Sequence, residues 1–271
     1  MNYIIKTSLI YFMKYLLFAA TAILFLGCQK GKDDNDLINS TTTCKLKTIT
    51  YNFSPSPRVY NVVYSGDNIL ELSSSVDKTQ YTYNATGQLT KKETLNNGNT
   101  QAQYKTEFSY NGDGFLAEEK NYEFFGGSLQ ATSRYTFQYN GSRLSQMNHY
   151  TSGGTTYNGK TVYTWTGDNI TSIDYYDETN TLECTTIFTY DLTKENSFYS
   201  KFKVFYLQDL YDDDFAPIYF ISKNQLTSSS NQCAPVETDN WAYTYNSENL
   251  TKTVTINGSS IPMWTFGYTC D

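Results

Sequence analysis

The chain has 271 residues, a formal charge of −7 and only 17% charged residues, with 26 tyrosines and 16 phenylalanines. An acidic chain without a basic run lacks the phosphate-neutralising charge on which nucleic-acid affinity depends, so nucleic-acid partners are excluded. A single histidine, His149, and the absence of any C-x-x-C pair argue against a His/Cys zinc or redox centre, and no cofactor or metal is expected. Tyr and Thr favour half-buried pleated surfaces, so the composition predicts extended β structure.

At the N-terminus, Lys6 and Lys14 precede the apolar run Tyr15 to Leu26, which stops at Gly27-Cys28. A run of about a dozen apolar residues is short for a bilayer span and fits the h-region of a signal peptide. Met13-Lys14-Tyr15-Leu16-Leu17 begins a compact signal of its own. Gly27-Cys28 resembles a bacterial lipobox, although Phe25 stands where Leu is usual. That resemblance implies that residues 1–27 are a signal peptide and that Cys28 is lipidated and attaches the chain to a membrane. Residues 28–43 then form an acidic tether that cannot bury a face, and residues 44–271 form the folded domain. Losing residues 1–27 removes two lysines and no acid, so the charge moves from −7 to −9. Within the tether, Lys30, Lys32, Asp33, Asp34 and Asp36 resemble the export signal that Bacteroidota place after a lipidated cysteine. It implies the outer membrane, with the domain facing the exterior; the bland alternative is a plain solvated tether.

From Cys44 onward the chain reads strand, turn, strand. Ser54-Pro55-Ser56-Pro57 interrupts the first strand, because proline cannot donate to a ladder. One phrase then recurs: aromatic-x-aromatic, a polar turn, and Leu or Ile. Copies are Tyr81-Thr82-Tyr83 with Leu89, Phe108-Ser109-Tyr110 with Leu116, Phe137-Gln138-Tyr139 with Leu144, Tyr163-Thr164-Trp165 with Ile170, and Tyr243-Thr244-Tyr245 with Leu250. Phe188-Thr189-Tyr190 is a degenerate copy. Aromatics one residue apart share a strand face, and the turn brings the aliphatic residue back onto it. Each copy is therefore a hairpin, and the period of roughly 20 to 30 residues signals a repeat architecture. The least regular stretch is Ser197 to Ser230, where Tyr206 to Tyr211 reads as a helical turn and Asp212-Asp213-Asp214 as a loop.

About sixteen strands are expected, each with one apolar and one polar face. Such a sheet must curl over its apolar side. The expected fold is all-β: an antiparallel meander rolled into a closed or flattened barrel, with an open spiral sheet as the alternative. A transmembrane porin needs the reverse sidedness, apolar outside and polar inside. Tyr81, Tyr83, Phe108, Tyr110, Phe137 and Tyr139 should therefore face inward, and Thr82, Ser109 and Gln138 outward. Four cysteines follow Cys28 and allow three disulfide connectivities. Cys44 opens the first strand and Cys270 ends the last, so closure would set them opposite each other and leave Cys184 with Cys233; free buried thiols are the alternative.

The phrase Tyr81-Thr82-Tyr83-Asn84-Ala85-Thr86-Gly87-Gln88-Leu89 is similar to the YD repeat of Rhs and teneurin shells, with Asn for the usual Asp. It also resembles a Bacteroidota lipoprotein family of unknown function described as having a porin-like barrel fold. Ser222-Lys223-Asn224-Gln225-Leu226 followed by Tyr243-Thr244-Tyr245-Asn246 looks like that family's ending, apart from the extra Gln225. The resemblance implies fold and location, and no catalytic residue.

His149 has no nucleophile motif beside it and reads as a rim or surface residue. Asp212-Asp213-Asp214 lacks EF-hand spacing and reads as a solvated loop rather than a calcium site. Glu118 and Glu119 point to opposite strand faces and cannot form a glycosidase pair. Trp165, Trp241 and Trp264 are the candidate platform for stacking on a sugar. The expected function is non-catalytic: a surface lipoprotein binding a glycan or a neighbouring outer-membrane complex. A structural envelope or adhesion spacer is the alternative, and a polysaccharide hydrolase has least support.

Overall fold

The computed structural model describes residues 44–52, 56–199, 222–233 and 235–270. Every regular element among them is a strand: β1 (Cys44–Tyr51), β2 (Arg58–Ser65), β3 (Asn68–Ser73), β4 (Asp77–Tyr83), β5 (Leu89–Asn96), β6 (Tyr104–Tyr110), β7 (Leu116–Phe125) and β8 (Ser128–Asn140) form the first half. The second half is β9 (Arg143–Thr151), β10 (Thr156–Thr166), β11 (Asn169–Tyr176), β12 (Leu182–Glu195), β13 (Asn224–Asn231), β14 (Glu237–Tyr245), β15 (Thr251–Ile256) and β16 (Trp264–Cys270). Sequence neighbours pair antiparallel, and β1 pairs with β16, so the meander closes into a sixteen-stranded barrel. Closure excludes the open spiral sheet. The Tyr206–Tyr211 turn and Asp212-Asp213-Asp214 lie outside the described residues.

The barrel has two unlike ends. Cys44 starts β1 and Cys270 finishes β16 at the near end, in register with each other and joined by a disulfide. The aromatic-x-aromatic turns are also there. At the far end lie the connections β3–β4, β5–β6, β7–β8, β9–β10, β11–β12, β13–β14 and β15–β16, and the second disulfide, Cys184–Cys233.

Turn chemistry explains the Asn of the repeat. The Asn84 side-chain oxygen accepts the main-chain N–H groups of Thr86 and Gln88 at 3.0 and 2.9 Å. Asn111 does the same for Asp113 and Phe115, and Asn246 for Glu248 and Leu250. Such side-chain capping of a turn is what Asn and Asp do well. The fourth loop position is left-handed, at φ 79° for Gly87 and 58° for Asn249, which is why Gly or Asn stands there.

A bulge follows at the same place in every near-end hairpin. The register shifts immediately before the second aromatic: at Val63/Tyr64, Thr82/Tyr83, Ser109/Tyr110, Gln138/Tyr139, Thr164/Trp165, Thr189/Tyr190 and Thr244/Tyr245. An extra residue bends the strand and raises its twist. Between hairpins the main-chain ladder stops short of the near end, for example at Glu71↔Gln80 on β3–β4 and Lys91↔Glu107 on β5–β6. Polar heads of the second aromatics bond the carbonyls left beyond it. Tyr83 donates to the Ile69 carbonyl and Tyr110 to Leu89, both at 2.7 Å. Trp165 Nε1 donates to Leu144 at 2.7 Å, Tyr190 to Ile170, and Tyr268 to Thr251 at 2.8 Å. Buried carbonyls need partners, and these side chains supply the missing rungs.

The first aromatics fill the core. Tyr81, Phe108, Phe137, Tyr163 and Phe188 are buried in one cluster with Leu46, Ile69, Leu89, Leu116, Leu144 and Ile170. Tyr83, Tyr110 and Tyr139 pack against it, while Thr82, Ser109 and Gln138 are exposed. Residues 196–199 tuck into the near end. Ser197 accepts the Thr251 N–H at 3.0 Å, and buried Phe198 packs its ring 4.8 Å from Phe266.

Candidate functional site

The outer wall is charged and hydroxylated at mid-strand. Lys91–Glu93, Lys105–Glu107 and Lys120–Glu118 are ion pairs at 2.7, 2.9 and 2.9 Å, and Tyr122 donates to Glu107 at 2.9 Å. The hydrogen bond from the Lys105 ammonium holds the Glu107 carboxyl below its ordinary pKa. A lipid-facing wall would need an apolar band at this height; the described outer residues there do not form one.

The three tryptophans are not an exposed platform. Trp264 is 2% exposed, Trp241 stacks on it at 6.1 Å, and Trp165 spends its N–H on the Leu144 carbonyl. They face inward because each occupies an aromatic position of the inward strand face. Cys28, Lys30, Lys32, Asp33, Asp34 and Asp36 lie outside the described residues. Glu118 points outward to Lys120 and Arg134, and Glu119 inward, where it is buried. Among the described residues no group of three or more His, Cys, Asp or Glu is placed to hold a metal ion.

The structure assembles instead a polar wall inside the far half. The bulge at Thr82/Tyr83 reverses the parity of β5, so Lys92 pairs with inward Tyr81 and with Thr106. Thr106 donates to the Asn121 side-chain oxygen at 2.8 Å, and the Asn121 amide donates to Glu119 at 3.0 Å and Ser133 at 3.3 Å. One shelf up the same wall, the Thr79 and Thr94 hydroxyls meet at 3.1 Å.

Beside this wall, His149 stacks flat on Tyr135, with centroids 4.6 Å apart and 10° between planes. Burial holds the imidazole below its usual pKa and pushes the Tyr135 hydroxyl up to about 12. The Asn158 amide lies 3.2 Å from His149 Nδ1. That approach depends on Gly159, opposite His149 at a bulge, where a Cβ would overlap the Tyr176 carbonyl. His149 is thus an inward residue. Tyr104 and Phe125 rise at the mouth above this wall, 53% and 79% exposed.

No protein-family model matches the chain, and no curated protein sequence matches it. Among solved structures, the chain is similar to a porin-like protein from Bacteroides uniformis ATCC 8492, at 12% identity and TM-score 0.53, over 83% of this chain and 96% of that one. A porin-like protein from Bacteroides vulgatus ATCC 8482 aligns at 11% identity and TM-score 0.55, over 83% and 97%. TcdB2-TccC3-TEV aligns at 13% identity over 80% of this chain and 10% of its own, with a TM-score of 0.32 too low to carry an argument. The two Bacteroides likenesses extend to the barrel fold.

Proposed function

We propose that this chain is an exported, lipid-anchored, non-catalytic binding barrel that stands in water at the outer face of an outer membrane and holds a glycan or a neighbouring membrane complex. One observation carries the reading: the barrel packs its aromatics inward and turns ion pairs and hydroxyls outward. A wall of that kind is stable in water and costly in lipid, so membrane attachment falls to the N-terminal segment. The Gly27-Cys28 site supplies it, and Lys30, Lys32, Asp33, Asp34 and Asp36 supply the outward address. Catalysis has no support from the interior, where the inward carboxylate Glu119 is held by Asn121 and His149 lies flat on a tyrosine ring.

The test is fractionation. Cys28→Ala should release the protein from membranes, and replacing Asp33, Asp34 and Asp36 by Ala should keep it lipidated but shield it from protease on intact cells. Membrane retention of Cys28→Ala through carbonate washing would instead indicate an inserted barrel.

A further inference from the structure

Most of the barrel interior is apolar, yet the inner wall of β4–β9 becomes polar toward the far end. Lys92, Thr106, Asn121 and Ser133 face inward there, and hydrogen bonds run across the strands from Thr106 to Asn121 and from Asn121 to Ser133. Inward polar groups need hydrogen-bond partners, and this wall supplies them from its own side chains. Exposed Tyr104 and Phe125 stand at the mouth above them. Tyr104 pairs with Glu123, and Phe125, two residues further along β7, lies on the same face.

The connections around this mouth carry no charge. Residues 96–104 read NNGNTQAQY, 124–133 read FFGGSLQATS, and 151–159 read TSGGTTYNG. They are also tied together before any ligand arrives. The Asn97 N–H donates to the Val76 carbonyl and the Phe124 N–H to Gln103, both at 2.8 Å, and the Gly153 N–H to Thr132 at 3.3 Å. A rim already ordered loses little entropy on binding.

We propose that this far-end mouth binds a neutral oligosaccharide, with Tyr104 and Phe125 stacking on sugar faces and the half-buried Lys92 and Asn121 meeting the hydroxyls. A sugar ring offers an apolar C–H face and hydroxyls that donate and accept together. The mouth offers aromatic faces, amides and hydroxyls side by side, which is the mixture adaptable recognition surfaces use. Charge selects among saccharides: Lys92 is the inward cation of this wall, and Glu119 and Glu123 set two carboxylates against it. An anionic polymer meets no cationic excess there. The proposal rests on the reading of an exported binding barrel and adds the place and the ligand class.

The test uses the full chain, purified with its lipid in detergent micelles and titrated calorimetrically. The probes are neutral linear hexasaccharides of glucose, mannose, xylose and galactose, with oligogalacturonate as the acidic probe. At least one neutral hexasaccharide should bind. Tyr104→Ala and Phe125→Ala should each weaken it by about tenfold, the size of a central aromatic contact, while Ile261→Ala on the β15–β16 connection leaves it unchanged. Binding of the acidic probe alone, no binding at all, or affinity untouched by both aromatic substitutions overturns the proposal. Those outcomes leave the fractionation result standing, so the site and the anchored barrel fail separately.

Discussion

The two ends of the barrel are built from the same hairpins and differ in what they do with a polar group. At the near end the polar heads of Tyr83, Tyr110, Trp165, Tyr190 and Tyr268 close the carbonyls beyond the ladder, and Phe198 packs against Phe266. At the far end the polar groups of β6–β8 bond one another along the inner wall, below strand ends that carry the exposed aromatics Tyr104 and Phe125. One end spends its chemistry on holding the strands together. The other leaves Tyr104 and Phe125 exposed above a polar wall, and that difference is the strongest functional signal in the fold.

The contrast can be broken by substitution. Phe108→Ala removes a near-fully buried ring and should cost about 3–5 kcal/mol in urea unfolding, as large-to-small core changes do. Tyr104→Ala, at the exposed far-end mouth, should stay within about 0.5 kcal/mol. Equal costs would erase the distinction between the ends. The disulfides sharpen it next. Replacing Cys44 and Cys270 by Ala should cost about 2–5 kcal/mol. They close a separation of 226 residues against 49 for Cys184–Cys233, so the far-end pair should cost about 1 kcal/mol less by loop entropy.

Smaller still is Tyr110→Phe. It leaves the ring and deprives the Leu89 carbonyl of its donor, for about 1–3 kcal/mol. The same hydroxyl gives an alkaline signature. Burial pushes Tyr110 and Tyr64 up to about 12, so the folded state keeps protons that the unfolded state releases near pH 10. Their contribution is complete below pH 10 and disappears as pH rises through about 12, and tyrosinate absorbance should rise together with loss of circular dichroism. Gradual ionisation of an intact fold would contradict this.

The smallest effect belongs to His149. Its folded pKa lies below the ordinary value of about 6.5, so the unfolded chain takes up the proton first. Stability from this group is complete above pH 6.5 and falls as pH drops through the lowered folded value. His149→Phe keeps a ring on Tyr135 and should flatten the change in urea midpoint between pH 7.5 and pH 5. An unchanged slope would locate the acid sensitivity elsewhere.

Much of the fold is legible in the sequence because the repeat states its own geometry. Aromatics one residue apart, an Asn cap and a left-handed fourth position dictate hairpins with one apolar face, and enough of them must close. The site is less legible, for a reason visible on β5. Counting by two from inward Leu89 places Lys91 inside and Lys92 outside; the bulge before Tyr83 reverses both. The polar inner wall is therefore hidden from periodicity. The tryptophans mislead in a related way. The second aromatic position reads Tyr64, Tyr83, Tyr110, Tyr139, Trp165, Tyr190, Tyr245 and Tyr268, never Phe, whereas the first admits Phe108, Phe137, Phe188 and Phe266. That asymmetry is the readable mark of a side chain that must donate a hydrogen bond, and it assigns Trp165 to the framework.

The Cys44–Cys270 pairing has a further consequence. With first and last strands adjacent and covalently joined, the sheet has no privileged starting point, and the chain ends are a place where a ring happens to be cut. Adjacent termini and exposed loop tips are the conditions under which circular permutation succeeds. Joining residue 270 to residue 44 through a short linker and opening the chain at Gly126-Gly127 would keep every strand neighbour. It would also move both chain ends of the barrel from the near end to the far end, beside the mouth.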